Sequence, residues 1–371
     1  MKAKRHSSSK RFIIFSGLLL FVVLSLLLLN RPSNAPDQSS SLDNVAIKIY
    51  VANEGDGTIS VIDAQSLSVI DTISLDGFPH NVNADPLGRY IFATNHEGEA
   101  DEGEENEGDH MDGKTQPYLR MLDAKTHKLL NSIPMDQMAA HVVPSRDGKL
   151  VYVSLEGSNE LVAVDLATQT IVKRFTVGKG PHGFVLSADG STAYVPNMRT
   201  HDVSVVDLAQ GKETRLPISF EGNACETPVA MGITIDDCYA FVTCGTSFDV
   251  YKIDIQQQKV VAHLAFKKGA FPGPIQIPVH PQNQYLYIPD MRNSVVHKVD
   301  IDSFTLVNDI SVGKGAHGIA FSKDGARAYV TNTWENAVAV IDLKTENVIK
   351  TIPVGVKPNG IAVSNGKNQG W

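Results

Sequence analysis

Cysteine is scarce. Three in 371 residues exclude a disulfide-dense scaffold. The short signatures of common enzyme classes are missing too: there is no Gly-x-Ser-x-Gly elbow, no His-Glu-x-x-His, no phosphate loop and no Cys-x-x-Cys-His haem attachment. Basic charge is short beyond residue 35, where 27 Lys and Arg stand against all 41 Asp and Glu. So acidic a body repels phosphate backbones, which argues against nucleic acid as a partner. What is present is material for a sizeable core, with 42% hydrophobic and 20% charged residues.

Residues 1–35 read as a signal peptide or signal anchor. Lys2, Lys4, Arg5, Lys10 and Arg11 precede a largely apolar run over residues 12–29. Basic residues stay on the cytoplasmic side, so the rest is expected outside it, in the periplasm or cell envelope. Ser33, Asn34 and Ala35 suit a signal peptidase, Pro36 does not, and the run is long enough to span a bilayer. Secretion and tethering both stay open, with membrane contact only through this segment if it is uncleaved. No Cys follows the run, which excludes a lipoprotein. Residues 36–44 read as a polar linker and 367–371 as a tail.

Between them, over 45–366, the sequence repeats itself. An apolar triplet ending in Asp recurs with Asp63, Asp123, Asp165, Asp207, Asp254, Asp300 and Asp342, at separations of 60, 42, 42, 47, 46 and 42 positions. The unit is therefore about 42 residues, present seven times, with an insertion over 96–116 in the first gap. Each unit holds four short apolar or alternating runs between turn signals, the pattern of strands. Tyr50, Phe92, Tyr152, Tyr194, Phe241, Tyr287 and Tyr329 recur at one point of the second run and predict a ring of core aromatics. The expected fold is all-β, a seven-bladed β-propeller with four-stranded blades. The chain begins at a second strand and ends with an extra innermost one, so pairing of the N- and C-terminal strands would close the ring.

Tyr329-Val330-Thr331-Asn332, with the variants Tyr50-Val51-Ala52-Asn53 and Tyr194-Val195-Pro196-Asn197, resembles the signature of the YVTN β-propeller repeat family. The turns Gly180-Pro181-His182-Gly183 and Gly315-Ala316-His317-Gly318 are similar to that family as well. The resemblance implies the propeller fold. It leaves function open among surface-layer proteins, haem-d1 propellers, the N-terminal domain of nitrous oxide reductase and periplasmic zinc-chaperone propellers.

Loops entering the innermost strands share a face with those linking second to third strands, so a site is expected there. The residues opening the innermost strands are read as His80, His141, His182, Met231, Ile275, His317 and Asn359. Four histidines aimed at one funnel suit zinc or copper. A Pro-His-Gly turn that merely caps a backbone group is the plainer alternative. The insertion adds His96, His110 and nine acidic residues, either as a solvated acidic loop or as a cation-collecting arm. Cys225 and Cys244 are expected on the funnel face of one blade, as a disulfide or, with Met231, as a soft Cu(I) site; Cys238 falls at the opposite end. These readings converge on an exported, non-enzymatic metal carrier that hands its ion to an envelope protein. A propeller binding a haem-like macrocycle, and an envelope interaction scaffold, are the alternatives.

Overall fold

The computed structural model describes residues 46–96, 116–267 and 273–364. The expected signal segment, linker and tail, and all of the insertion from residue 97 to 115, lie outside the described residues. Every regular element among the described residues is a strand. They form seven blades, each antiparallel from the centre outwards.

Blade 1 comprises Phe78–Ala84, Tyr90–His96, Tyr118–Asp123 and Leu129–Pro134. Blade 2 comprises Ala139–Pro144, Leu150–Leu155, Glu160–Asp165 and Thr170–Thr176. Blade 3 has only Val185–Leu186 as regular inner strand, followed by Thr192–Asn197, Asp202–Asp207 and Lys212–Pro217. Blade 4 comprises Pro228–Ile233, Tyr239–Cys244, Asp249–Asp254 and Lys259–Ala265. Blade 5 has three full strands, Tyr285–Asp290, Val295–Asp300 and Thr305–Ser311. Its inner edge is reduced to the bridges Pro274 to Asp290 and Val279 to Leu286. Blade 6 comprises Ala316–Phe321, Arg327–Asn332, Ala337–Asp342 and Asn347–Pro353. In blade 7 the C-terminal strand Pro358–Val363 pairs with Lys48–Asn53, followed by Thr58–Asp63 and Ser68–Ser74. Both ends of the folded chain thus meet in one sheet, and the ring has no open edge.

The repeated Asp has a local cause. It ends the third strand, and its carboxylate accepts backbone N–H groups of the following turn: Gln65 and Ser66 on Asp63, Ala167 and Thr168 on Asp165, Lys344 and Thr345 on Asp342. This Asx-type turn lets the chain reverse into the outer strand. It closes through a left-handed residue four positions after the Asp, as at Leu67, Gln169 and Glu346.

The aromatic ring is core. Tyr50, Phe92, Tyr152, Tyr194, Phe241, Tyr287 and Tyr329 are all buried, in apolar clusters that join each blade to the next. The Thr of the repeat signature straps blades together. Thr94, Thr243 and Thr331 donate from the second strand to the carbonyls of Ala140, Ile275 and Asn359 on the neighbouring inner strand, at 2.6, 2.7 and 2.9 Å. The Asn that follows is buried: Asn53 and Asn197 donate to Ser60 and Ser204, both at 2.9 Å. Gly178 packs so tightly on Asn197 that an added Cβ would overlap its side chain. Inner strands therefore enter the channel at a fixed height, which aligns the residues at its mouth.

Candidate metal centre at the channel mouth

Register defines the innermost position in each blade. Pro79, Pro181, Pro228, Ala316 and Pro358 each face the last residue of a second strand or the residue before it. The next residue is then His80, His182, Val229, His317 and Asn359. In blade 2, Ala139 faces Leu155, so Ala140 holds the equivalent place and His141 stands one residue further along. The sequence reading of His141 and Met231 as slot residues is corrected by this register. Blade 2 keeps the spacing of the repeat, 17 residues from Asp123 to Ala140 as from Asp63 to His80, so His141 is the residue after the slot. In blade 4 the slot residue is Val229, and Met231 lies two positions further down, facing Val242.

Three of the histidines nevertheless converge. One nitrogen from each of His80, His141 and His182 lies within 4.8 Å of the other two, and all three side chains are buried. Ring centroids are 5.8 Å apart for His80 and His141, 5.7 Å for His80 and His182, and 4.6 Å for His141 and His182. A tetrahedral ion would ask for nitrogens about 3.4 Å apart, so a small closure of the rings would seat one.

Hydrogen bonds orient the rings. The Nδ1–H of His182 donates to the carbonyl of Val229 at 3.1 Å, which leaves Nε2 as its lone-pair nitrogen. His80 places Nδ1 3.0 Å from Oε1 of Glu54, whose Oε2 accepts from Asn359 Nδ2 at 2.7 Å. A carboxylate behind a ligand histidine fixes its tautomer and raises its basicity. Burial, reinforced by the charge of His80, pushes His182 down to about 3, so it is neutral at pH 7 as a ligand must be.

His317 lies outside the three-histidine cluster. It sits within electrostatic reach of His80 and Glu54, and burial pushes it down to about 4. Its Nδ1 is enclosed without a hydrogen-bond partner. Met231 belongs to the apolar cluster between blades 3 and 4 together with Cys225 and Cys244. Those two cysteines are joined as a disulfide with Cα atoms 5.5 Å apart, while Cys238 is exposed and free. With both thiols so bonded, Met231 has no thiolate beside it for a Cu(I) site. His96 ends the second strand of blade 1, its backbone opposite Phe78. His110 lies outside the described residues.

Two functional candidates escape a search for histidine. Glu54 and Glu156 each follow directly on a second strand, in blades 7 and 2, so they flank the blade that contributes His80. Glu156 is buried and bonded by Arg199 Nη2 at 2.6 Å; burial raises its carboxyl, against the pull of Arg199 and His80. A signal was there. With a repeat near 42, residues one unit apart become neighbours, as His141 and His182 are, and Glu156 and Arg199 are 43 apart. Beside His182, blades 4 and 5 bring Val229, Ile275 and Met291 together as a buried apolar cluster. The inner strands also line a partly open cavity of about 80 Å³ that His141 and Met231 border.

A family model described as a YNCE-like β-propeller matches residues 119–321 and 186–367. No curated protein matches the chain. Among solved structures the chain is similar to hydrazine synthase of Kuenenia stuttgartiensis, at 16% identity over 76% of this chain and 89% of that one, with a TM-score of 0.62. It is similar to dihydro-heme d1 dehydrogenase NirN, at 14% identity over 86% of this chain and 75% of that one, TM-score 0.60. It is also similar to the periplasmic gluconolactonase PpgL of Pseudomonas aeruginosa, at 17% identity over 86% of this chain and 99% of that one, TM-score 0.66. At such identities the likeness is one of fold, and the fold serves unrelated functions.

Proposed function

This chain belongs to the YNCE-like β-propeller family, and from that premise we propose that it is an exported binding protein that carries a transition-metal ion, zinc or copper, at His80, His141 and His182. One observation carries the reading: three buried imidazoles from three consecutive blades hold a nitrogen each within 4.8 Å of one another. A Pro-His-Gly turn accounts for His182 but not for the convergence, because His141 stands in Ala140-His141-Val142, one residue past the slot, and still reaches the cluster. Neutral imidazole is the commonest donor to both metals, and three protein donors with one position open suit an ion that must be released again.

Export is supported by the basic and apolar N-terminal segment. A fold shared with a protein named as periplasmic points the same way. The recipient would be an envelope protein. A haem-like macrocycle is the alternative that the likeness to NirN raises.

The test is titration of the exported protein with zinc and Cu(I), and again after changing His80, His141 and His182 to Ala, with elemental analysis and a visible spectrum of protein purified from its own envelope. Loss of binding in the triple variant is expected. Unchanged affinity would remove the site, and a visible chromophore without metal binding would favour the macrocycle.

A further inference from the structure

The metal reading leaves two carboxylates beside the histidines unexplained, and they are not equivalent. Glu54 has both oxygens engaged, Oε1 with His80 and Oε2 with Asn359. It is built into the support of the site. Glu156, across blade 1 from it, takes its hydrogen bond from Arg199. Among the described residues Arg199 is its one salt-bridge partner. The two members of that pair live in different surroundings: the Glu156 side chain is 9% exposed and that of Arg199 57%.

We propose that Glu156 is an exchangeable fourth ligand of the His80, His141 and His182 centre, latched by Arg199 while the site is empty and released to a divalent cation when one arrives. The inference rests on the metal reading and gives the cargo a charge. A buried carboxylate must be paired, and Arg199 supplies the pairing in the apo protein. Arg199 is also free to leave, since its exposed guanidinium regains water on moving a short way out. Three neutral imidazoles add no charge, so a dication held by them alone would have only the Glu54 carboxylate behind His80 as a counter-charge named at the site. A carboxylate offsets half of that charge and completes four donors. Glu156 is placed for this: it follows Leu155, which faces Ala139, and its backbone N–H bonds the carbonyl of Met138, three residues before His141, at 2.9 Å. The step is a plain exchange: the Glu156 to Arg199 ion pair opens, a Glu156 oxygen to metal bond forms, and no electron moves. A monovalent ion such as Cu(I), which favours soft donors, gains less from it.

Variants of opposite sign test the latch. Glu156→Gln is expected to weaken zinc binding by at least about tenfold. Arg199→Gln is expected to tighten it by about two- to fivefold, the worth of one exposed ion pair that no longer competes. Co(II) replaces zinc as a spectroscopic probe, and loss of the carboxylate in Glu156→Gln should alter its visible bands while Arg199→Gln leaves them unchanged. Thermal melts of each variant, apo and zinc-loaded, confirm folding; should Arg199→Gln fail to fold, Arg199→Lys carries the same expectation at smaller size. Wild-type zinc affinity and Co(II) bands in Glu156→Gln would overturn the proposal while leaving a three-histidine site intact. Equal weakening by both variants would make the pair a structural strut and overturn it as well. Unchanged zinc affinity after removal of the three histidines would overturn the metal reading and this inference together.

Discussion

His297 faces Asp290 across blade 5, Nε2 to Oδ2 3.2 Å, at the place where Ser204 faces Asn197 in blade 3 and Ser60 faces Asn53 in blade 7. A neutral hydroxyl–amide pair in two blades is an imidazole–carboxylate pair in the third. His297 is further held by Asp309 at 2.6 Å and stacks on Phe266 with centroids 4.1 Å apart. Removing one member leaves the other with its remaining partner, Asp309 for His297 and Asn293 for Asp290. Asp290→Asn alone is expected to cost about 1 to 3 kcal/mol, because it removes the buried carboxylate from His297 Nε2 and leaves Asp309 alone to hold the ring, and Asp290→Asn with His297→Ser should recover most of it by restoring the blade 3 arrangement. Denaturant midpoints of the two singles and the double decide it. Additive losses would mean the pair is not coupled.

The same pair sets a pH window. Burial opposes the charge on His297, but its bonds to Asp290 and Asp309 outweigh burial and raise its pKa above 6.5. Its contribution to stability is therefore complete below about 6.5 and is lost as pH rises through the raised value. Asp290 is pulled up by burial and further down by His297 and Asn293, ending below 3.8. Its contribution is present above about 3.8 and is lost as pH falls through the lowered value. Stability should thus decline on both sides of a plateau, and the double variant carrying Asp290→Asn and His297→Ser should flatten the alkaline decline. An unchanged alkaline limb in that variant would place the titration elsewhere.

The fold was legible because a propeller repeats its local solutions. The Asp that caps each outer turn and the aromatic of each second strand recur whatever the blade contacts. The histidine cluster was legible as residue type but only partly as position. Met231 sits off the slot because blade 4 has a longer entry, 22 residues from Asp207 to Val229 against 17 from Asp63 to His80, whereas Ala140 keeps the 17-residue spacing from Asp123 and His141 is simply the residue after it, an offset that the repeat spacing already carries. Glu54 and Glu156 carry no motif of their own. Each looks like an ordinary loop acid until the register places it over the channel.

The blade straps bear on the site. Thr94 donates to the carbonyl of Ala140, the residue before His141, and is fully buried. Thr94→Val keeps the shape and leaves that carbonyl without its donor, at an expected cost of about 1 to 3 kcal/mol. If His141 is a ligand, zinc affinity should fall as well, since its backbone loses the anchor. A loss of stability with unaltered zinc affinity would uncouple the strap from the centre.

The disulfide gives a prediction of connectivity and size. Cys225 and Cys244 are 19 residues apart, and closing a loop of that length is worth about 3 kcal/mol through the unfolded chain. Mass mapping without reductant should find this bridge and a free Cys238. Reduction should lower the melting temperature without abolishing folding, because the cysteines lie in an apolar cluster that also includes Val205, Ile218 and Tyr251. A bridge to Cys238 would contradict the blade 4 topology.

The acidic insertion joins the second and third strands of blade 1, so its nine carboxylates between residues 97 and 112 are tied to the end of the blade that carries His80. Like charges in so short a segment resist burial together, and replacing residues 98–113 by a short Gly/Ser link should leave the melting temperature nearly unchanged. Their field acts at a distance. It should raise the local concentration of cations at the mouth and so speed capture, an effect that salt screens over a Debye length of about 10 Å at 0.1 M. Stopped-flow zinc association should be slower in the shortened protein at low ionic strength and equal to the parent at high ionic strength, with equilibrium affinity little altered because the histidines are untouched. Equal association rates at low salt would reduce the insertion to a passive connection. A drop in affinity at every salt concentration would instead make one of its side chains a ligand.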